Sequence, residues 1–143
     1  MSDAFLHHLI RQELPEPAVN QWLGVVVDGR YLAISVPHVA AVFRNLSAPQ
    51  SSGSKVIDVA VHAGAPVFIA KLSTVFEAIK DADNHADEFS GHWVVVLSNP
   101  IDTQVGFRAD QVKGPFHAIA REGQVSYEGL LWQVLDTKRI THA

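Results

Sequence analysis

QWLGVVVDGRYLAIS, residues 21–35, places two apolar runs, QWLGVVV and RYLAIS, on either side of Asp28-Gly29. Asp-Gly is the two-residue signal of a type I′ turn, which needs positive φ at both central positions, so the stretch predicts a β-hairpin. Working outward, Pro37 opens VPHVAAVF (residues 36–43), in which Val36, Val39, Val42 and Phe43 recur at three- and four-residue spacing. That spacing predicts one or two helical turns. NLSAPQSSGS (45–54) is rich in Ser, Gly and Pro and predicts a surface loop.

Two β-branched runs follow, KVIDVAV (55–61) and PVFIAKL (66–72), separated by the turn-forming HAGA. Ser73 is expected to cap a short helix, STVFEAI, and Lys80 to Gly91 to form a polar, acidic loop. The second half has the same grammar: HWVVVLS, a turn at residues 99–102, TQVGFRA, a short DQVKG, and a strand starting near Phe116. GLLWQVLDTKRI (129–140) predicts a strand through Leu135 that runs into a turn or helical end. Before the first hairpin, Phe5, Leu6, Leu9 and Ile10 share one face at helical spacing, and Pro15 and Pro17 stop the helix. The expected division is therefore residues 1–18, an N-terminal helix and linker, and residues 19–143, one β-rich domain. Short reversals favour antiparallel pairing, and many short strands with little helix indicate a sandwich or small barrels.

Composition narrows the function classes. The chain has 143 residues, 48% hydrophobic and 18% charged, the profile of one globular domain that buries a core without disulfide or metal. It contains no cysteine, which excludes thiol catalysis, thiolate metal sites and iron–sulfur clusters. A net charge of -4 offers no field to concentrate polyanions, so nucleic acid is not an expected partner. The start, MSDAFLHHLIRQ, lacks a signal peptide's basic region, and the most apolar stretch, Val56 to Leu72, is interrupted by Asp58, His62, Gly64, Pro66 and Lys71. A cytoplasmic protein without membrane insertion is the expectation.

Specific chemistry finds no motif. The eight histidines form neither HExxH nor HxxxH, so no metal site is assigned. The acidic run from Asp81 has Ala86 where a calcium loop turns on Gly and His92 where it needs a bidentate Glu. SSGS (51–54) is not a phosphate loop, and no GxGxxG or GxSxG occurs. No catalytic residue and no cofactor is expected. Trp22, Trp93 and Trp132 fall in predicted strands, where core packing is their first role. Gly64 and Gly106 fit a turn or a close backbone approach.

From about Trp22 to Ile140 these segments together resemble the CheW-like family of bacterial chemosensory coupling proteins. WLGVVVDGRYLAISVPHVAAVFR resembles the family's opening hairpin and short hydrophobic segment, and HAGAPVFIAKLSTVF its Gly-strand-Leu-Phe unit, with Gly64, Leu72 and Phe76 in register. Gly106, Asp110 and Val112 match its Gly, Asp and Val in order, and Leu135-Asp136 closes the pattern. The resemblance implies an all-β fold with short helices: two small five-stranded, SH3-like β-barrels sharing a hydrophobic core. It also implies a non-enzymatic adaptor that binds the regulatory domain of a chemotaxis histidine kinase and the cytoplasmic tip of chemoreceptors. Position by position, the implied receptor-facing residues are Val39, Val42, Phe43, Ala63, Gly64 and Phe68, with core packing as the competing role, above all for the valines. Gly106, Asp110 and Val112 are expected to hold turn geometry in the second barrel, with Asp110 capping DQVKG.

The chain departs from the family at four of these positions. Ala63 stands where many members have Arg, Ala41 where an acidic residue is common, and Phe68 and Lys71 replace a Pro and an Asp. Loss of both members of a charge pair leaves neither unpartnered, but alters the surface offered to receptors. The favoured expectation is an adaptor of a divergent chemosensory system, such as one controlling pili. The alternatives are a CheW-like interaction module without receptor coupling, and a small β-barrel ligand carrier or enzyme, which a deep pocket with convergent polar groups would favour. Uncovered strand edges leave oligomerisation open.

Overall fold

In the computed structural model, which describes residues 19–46, 50–52, 55–77, 91–99 and 103–141, β1 (Asn20–Val27) and β2 (Arg30–Ser35) form the expected hairpin. Asp28 and Gly29 have φ of 48° and 78°, both positive as a type I′ turn requires. The helix expected within residues 1–18 and the acidic loop 80–90 lie outside the described residues. A 3-10 turn, Val36–His38, leads into β3 (Val39–Arg44), followed by β4 (Gln50–Ser52), β5 (Lys55–Ile57), β6 (Val59–His62) and β7 (Ala65–Ile69). Helix α1 (Leu72–Glu77) precedes β8 (Trp93–Leu97), β9 (Gln104–Ala109) and β10 (Gln111–Ala118). The chain closes with β11 (Ala120–Arg121), β12 (Gln124–Tyr127), β13 (Leu130–Val134) and α2 (Lys138–Thr141). The all-β class with short helices holds.

The strands make two curled sheets and a separate β4–β5 ribbon. One sheet has the order β10-β1-β2-β13-β12-β11, its sixth strand only two residues long, and the other has the order β3-β8-β9-β7-β6. Each sheet is antiparallel apart from one parallel pair, β2 with β13 and β7 with β9. Each also curls until opposite ends touch. Phe116 of β10 stacks on Tyr127 of β12 at 4.0 Å, and Phe43 of β3 stacks on His62 of β6 at 5.4 Å. The result is two barrel-like units. They are nested in sequence, since the strands of the second (residues 39–44, 59–69 and 93–109) all fall between β2 and β10 of the first.

Each unit has its own interior, and a third core lies between them. Trp22, Val26, Ala33, Phe116, Val125 and Trp132 fill the first barrel, and Ala60, Val67, Ile69, Val94 and Val96 fill the second. The shared core takes the alternate residues of the same strands: Leu23, Val25 and Val27 of β1, Leu32 and Ile34 of β2, Val95 and Leu97 of β8, and Phe107 and Ala109 of β9. Leu72, Val75 and Phe76 of α1 and Ile140 of α2 complete it. Full burial of each such side chain is worth about 1.5–3 kcal/mol, so these strands contribute from both faces. Where backbones press together, side chains vanish: a Cβ on Gly106 would lie 2.3 Å from the Val95 carbonyl oxygen.

One ion pair lies inside this apolar frame. The side chains of Arg108 in β9 and Asp58, which precedes β6, are 3% and 1% exposed, and the guanidinium donates to both carboxylate oxygens through Nε and Nη2. Nη1 donates to the Asn45 carbonyl beyond β3 at 3.0 Å, so Arg108 ties the two outermost strands of its barrel together at one end. At the other end Gln104 Nε2, also from β9, donates to the His62 carbonyl at 3.2 Å.

Several local expectations are corrected. VPHVAAVF is helical only over its first three residues; the rest is β3, and a bulge between Val39 and Ala41 turns both Val39 and Val42 toward the shared core. That irregularity explains the three-residue spacing that mimics a helix. Within the predicted loop 45–54, Gln50–Ser52 pairs with β5. Helix α1 starts at Leu72, and Thr74 and Val75 donate to the Lys71 carbonyl, so Ser73 lies inside the helix and does not cap it. DQVKG is no turn: β10 starts at Gln111, before Phe116, and the Asp110 carboxylate instead accepts from the Asp28 N–H of the first hairpin at 2.9 Å. The turns Glu122-Gly123 and Glu128-Gly129, φ positive at all four residues, escaped the sequence reading.

Removing one partner of a buried pair leaves an uncompensated charge, which costs about 3–5 kcal/mol. Asp58→Ala is therefore expected to lower unfolding stability by that order in urea titration. The double variant Asp58→Leu/Arg108→Met should be more stable than Asp58→Ala alone; an equal or larger loss would show that the pair does not act as a unit.

Candidate protein-binding site

The β6–β7 hairpin is built on a period of two around Ala63-Gly64. Ala60, Val67 and Ile69 point into the second barrel, so the opposite face carries Val59 paired with Phe68 and Val61 paired with Pro66. Val61 is 67% exposed and Phe68 48%. On the other side of Phe68 its parallel neighbour, Val105 of β9, packs against the shared core. An apolar surface thus runs from the core between the barrels out to the tip of the hairpin. Residues 61–68 contain no Asp, Glu, Lys or Arg. Contiguous exposed apolar surface is the kind of face that can bind by excluding water from apolar contact.

The six residues implied by the resemblance fall into three groups. Ala63 and Gly64, with φ of 53° and 76°, form the exposed turn, and Phe68 lies on the exposed face next to it. Phe43 is half-buried and stacked on His62, so it joins β3 to the same hairpin across the barrel seam. Val39 and Val42 are half-buried against the shared core. Ala41 packs against the interior of the second barrel, whereas Ala63 is at the hairpin tip.

Sequence reasoning missed Val61 and Pro66, although alternation about the turn was enough to place them beside Phe68. It also treated Asp58 as a mere interruption of an apolar stretch. A lone carboxylate there and a lone Arg in QVGFRA were the available signal for a buried pair. Gly106 does mark a close approach, Leu135 is buried in the shared core, and Asp136 caps α2 by accepting from the Lys138 N–H at 3.2 Å. Trp22 and Trp132 are buried in the first barrel, and Trp93 is half-buried against the shared core.

Among the described residues no group of three or more His, Asp or Glu is placed to hold a metal, and no helix is long and apolar enough to cross a membrane. A scan against protein-family models and a search of curated proteins match nothing to this chain.

The different surroundings separate the six residues experimentally. Val42→Asp puts a charge against the shared core and is expected to cost about 2 kcal/mol or more, whereas Phe68→Asp on the open face should change stability by no more than about 0.5 kcal/mol. Thermal unfolding followed by circular dichroism compares them; equal melting temperatures would remove the distinction between core and face.

Proposed function

We propose that this chain is a non-catalytic adaptor of a bacterial chemosensory pathway, working in the cytoplasm. It binds the regulatory domain of a chemotaxis-type histidine kinase and the cytoplasmic tip of a chemoreceptor, and so holds the kinase under receptor control. The observation that carries this reading is the uncharged apolar face of the β6–β7 hairpin on a two-barrel scaffold of the kind the CheW-like resemblance implies. Half-exposed Phe68 in the middle of that face supplies an aromatic anchor of the sort that dominates interface energetics. With Ala63 at the tip, recognition relies on shape and water exclusion in place of a charge pair. That suits a divergent pathway, such as one driving pilus-based motility, whose receptor offers a matching apolar surface.

Calorimetric titration of the full chain against each partner tests the reading. Binding to both is expected, with Phe68→Asp weakening the receptor arm by at least about tenfold, equivalent to 1.4 kcal/mol, and leaving the kinase arm unchanged. Binding to the kinase domain alone would instead make the chain an interaction module uncoupled from receptors. Binding to neither at about 1 mM, where −4 kcal/mol still registers, would overturn the adaptor reading.

A further inference from the structure

The tip of the β6–β7 hairpin is held by a side chain from a third strand. Gln104, half-buried at the start of β9, aims its Nε2 at three carbonyl oxygens of the hairpin, donating to those of His62 at 3.2 Å, Ala65 at 3.4 Å and Pro66 at 3.5 Å. One amide group thus ties His62 of β6 to Ala65 and Pro66 of β7. These residues surround the two-residue turn Ala63-Gly64, whose φ values of 53° and 76° are both left-handed. Gly64 adopts that conformation freely, but Ala63 does so against the clash of its Cβ with the backbone. Asn or Asp at the first position would favour the turn through a short polar side chain that bonds locally, and Ala63 has none. A residue kept in a costly conformation persists where its surroundings over-determine it, and here the Gln104 amide supplies that hold. The first hairpin uses the same device, since the Asp28 N–H of its turn donates to the distant Asp110 carboxylate. Gln104 also lies opposite Val67 in the parallel β7–β9 ladder, one residue from Phe68, so the same residue anchors both the turn and the strand that carries the aromatic side chain.

We propose that Gln104 is the positioning residue of the apolar hairpin face: by holding the strained Ala63-Gly64 turn closed it keeps Val61, Pro66 and Phe68 in the arrangement that the receptor tip binds, an inference that rests on the adaptor reading. A face ordered in advance spares association the cost of ordering it, so the effect of Gln104 falls on receptor affinity and not on the stability of the barrel.

Gln104→Leu in the full chain keeps the bulk and removes both N–H donors. It is expected to speed amide hydrogen exchange of residues 62–65 by about tenfold, the order set by losing one or two hydrogen bonds, with exchange at Val94 and Val96 in the barrel interior unchanged. Calorimetric titration should show receptor-tip affinity lowered by about tenfold and kinase-domain affinity unchanged. Adding Ala63→Asn, which favours the turn by itself, should restore slow exchange, a rescue that a mere packing role for Gln104 would not give. Exchange in Gln104→Leu that is unchanged, that rises equally at Val94 and Val96, that Ala63→Asn does not restore, or that rises without loss of receptor affinity overturns the inference. An unsubstituted chain that binds no receptor tip overturns it too, but together with the receptor arm of the adaptor reading and before any variant is made, so the two failures are distinct.

Discussion

Four strands, β1, β2, β8 and β9, are walls of a barrel on one face and the floor of the shared core on the other. Ordinary half-buried strands alternate apolar and polar residues, but these have no solvent face over most of their length. Their sequences, LGVVV, LAI, VVVL and GFRA, are correspondingly continuous. The arrangement of everything else follows from that double duty. Strands with one free face, such as β7 and β12, lie toward the outside of their sheets, and the two short helices pack their apolar residues into the shared core.

Inside such a frame a charge is tolerated only with its complement. Arg108 occupies an interior position of β9 because Asp58 meets it with both oxygens and the Asn45 carbonyl takes a further N–H. The pair does what a hydrogen-bonded ladder would do if β3 and β6 were neighbours. Phe43 on His62 continues the closure at the side-chain level. Rigid closure at this seam matters for the proposed interface, because the hairpin that carries Phe68 is one side of it.

The sequence revealed most where the physics is local. Asp28-Gly29 needs no tertiary context to predict a turn, and the β-branched runs around it and around HAGA could hardly be anything but strands. The all-β class and the core roles of Trp22 and Trp132 were legible for the same reason. What was hidden depended on distant partners. A bulge in β3 converts period two into an apparent period of three, and only pairing with β8 reveals it. Asp110 looked like a local cap, yet its acceptor serves Asp28, which is 82 residues away. Glu at the first position of two further turns concealed them, since Asp and Asn are the residues that usually announce positive φ there. At the candidate site, the resemblance pointed to Phe68, Ala63 and Gly64, which lie on the exposed hairpin. For Val39 and Val42 the sequence left surface and core as competing roles, because exposure on these strands is set by the neighbouring sheet, which half-buries both.

The nesting of one barrel within the sequence of the other bears on how the protein is made. During synthesis the strands of the second barrel, complete by residue 109, emerge as a continuous block and can pair among themselves. The first hairpin, though made before them, has to wait for β10 and β13, so Val25 and Leu32 remain without their flanking partners until residues 112 and 133 have been made. Contacts of such long sequence separation are slow to form. The order of synthesis and the order of assembly are thus opposed for β1 and β2, and the apolar hairpin on which the fold is centred is the segment that a nascent chain has to shield longest.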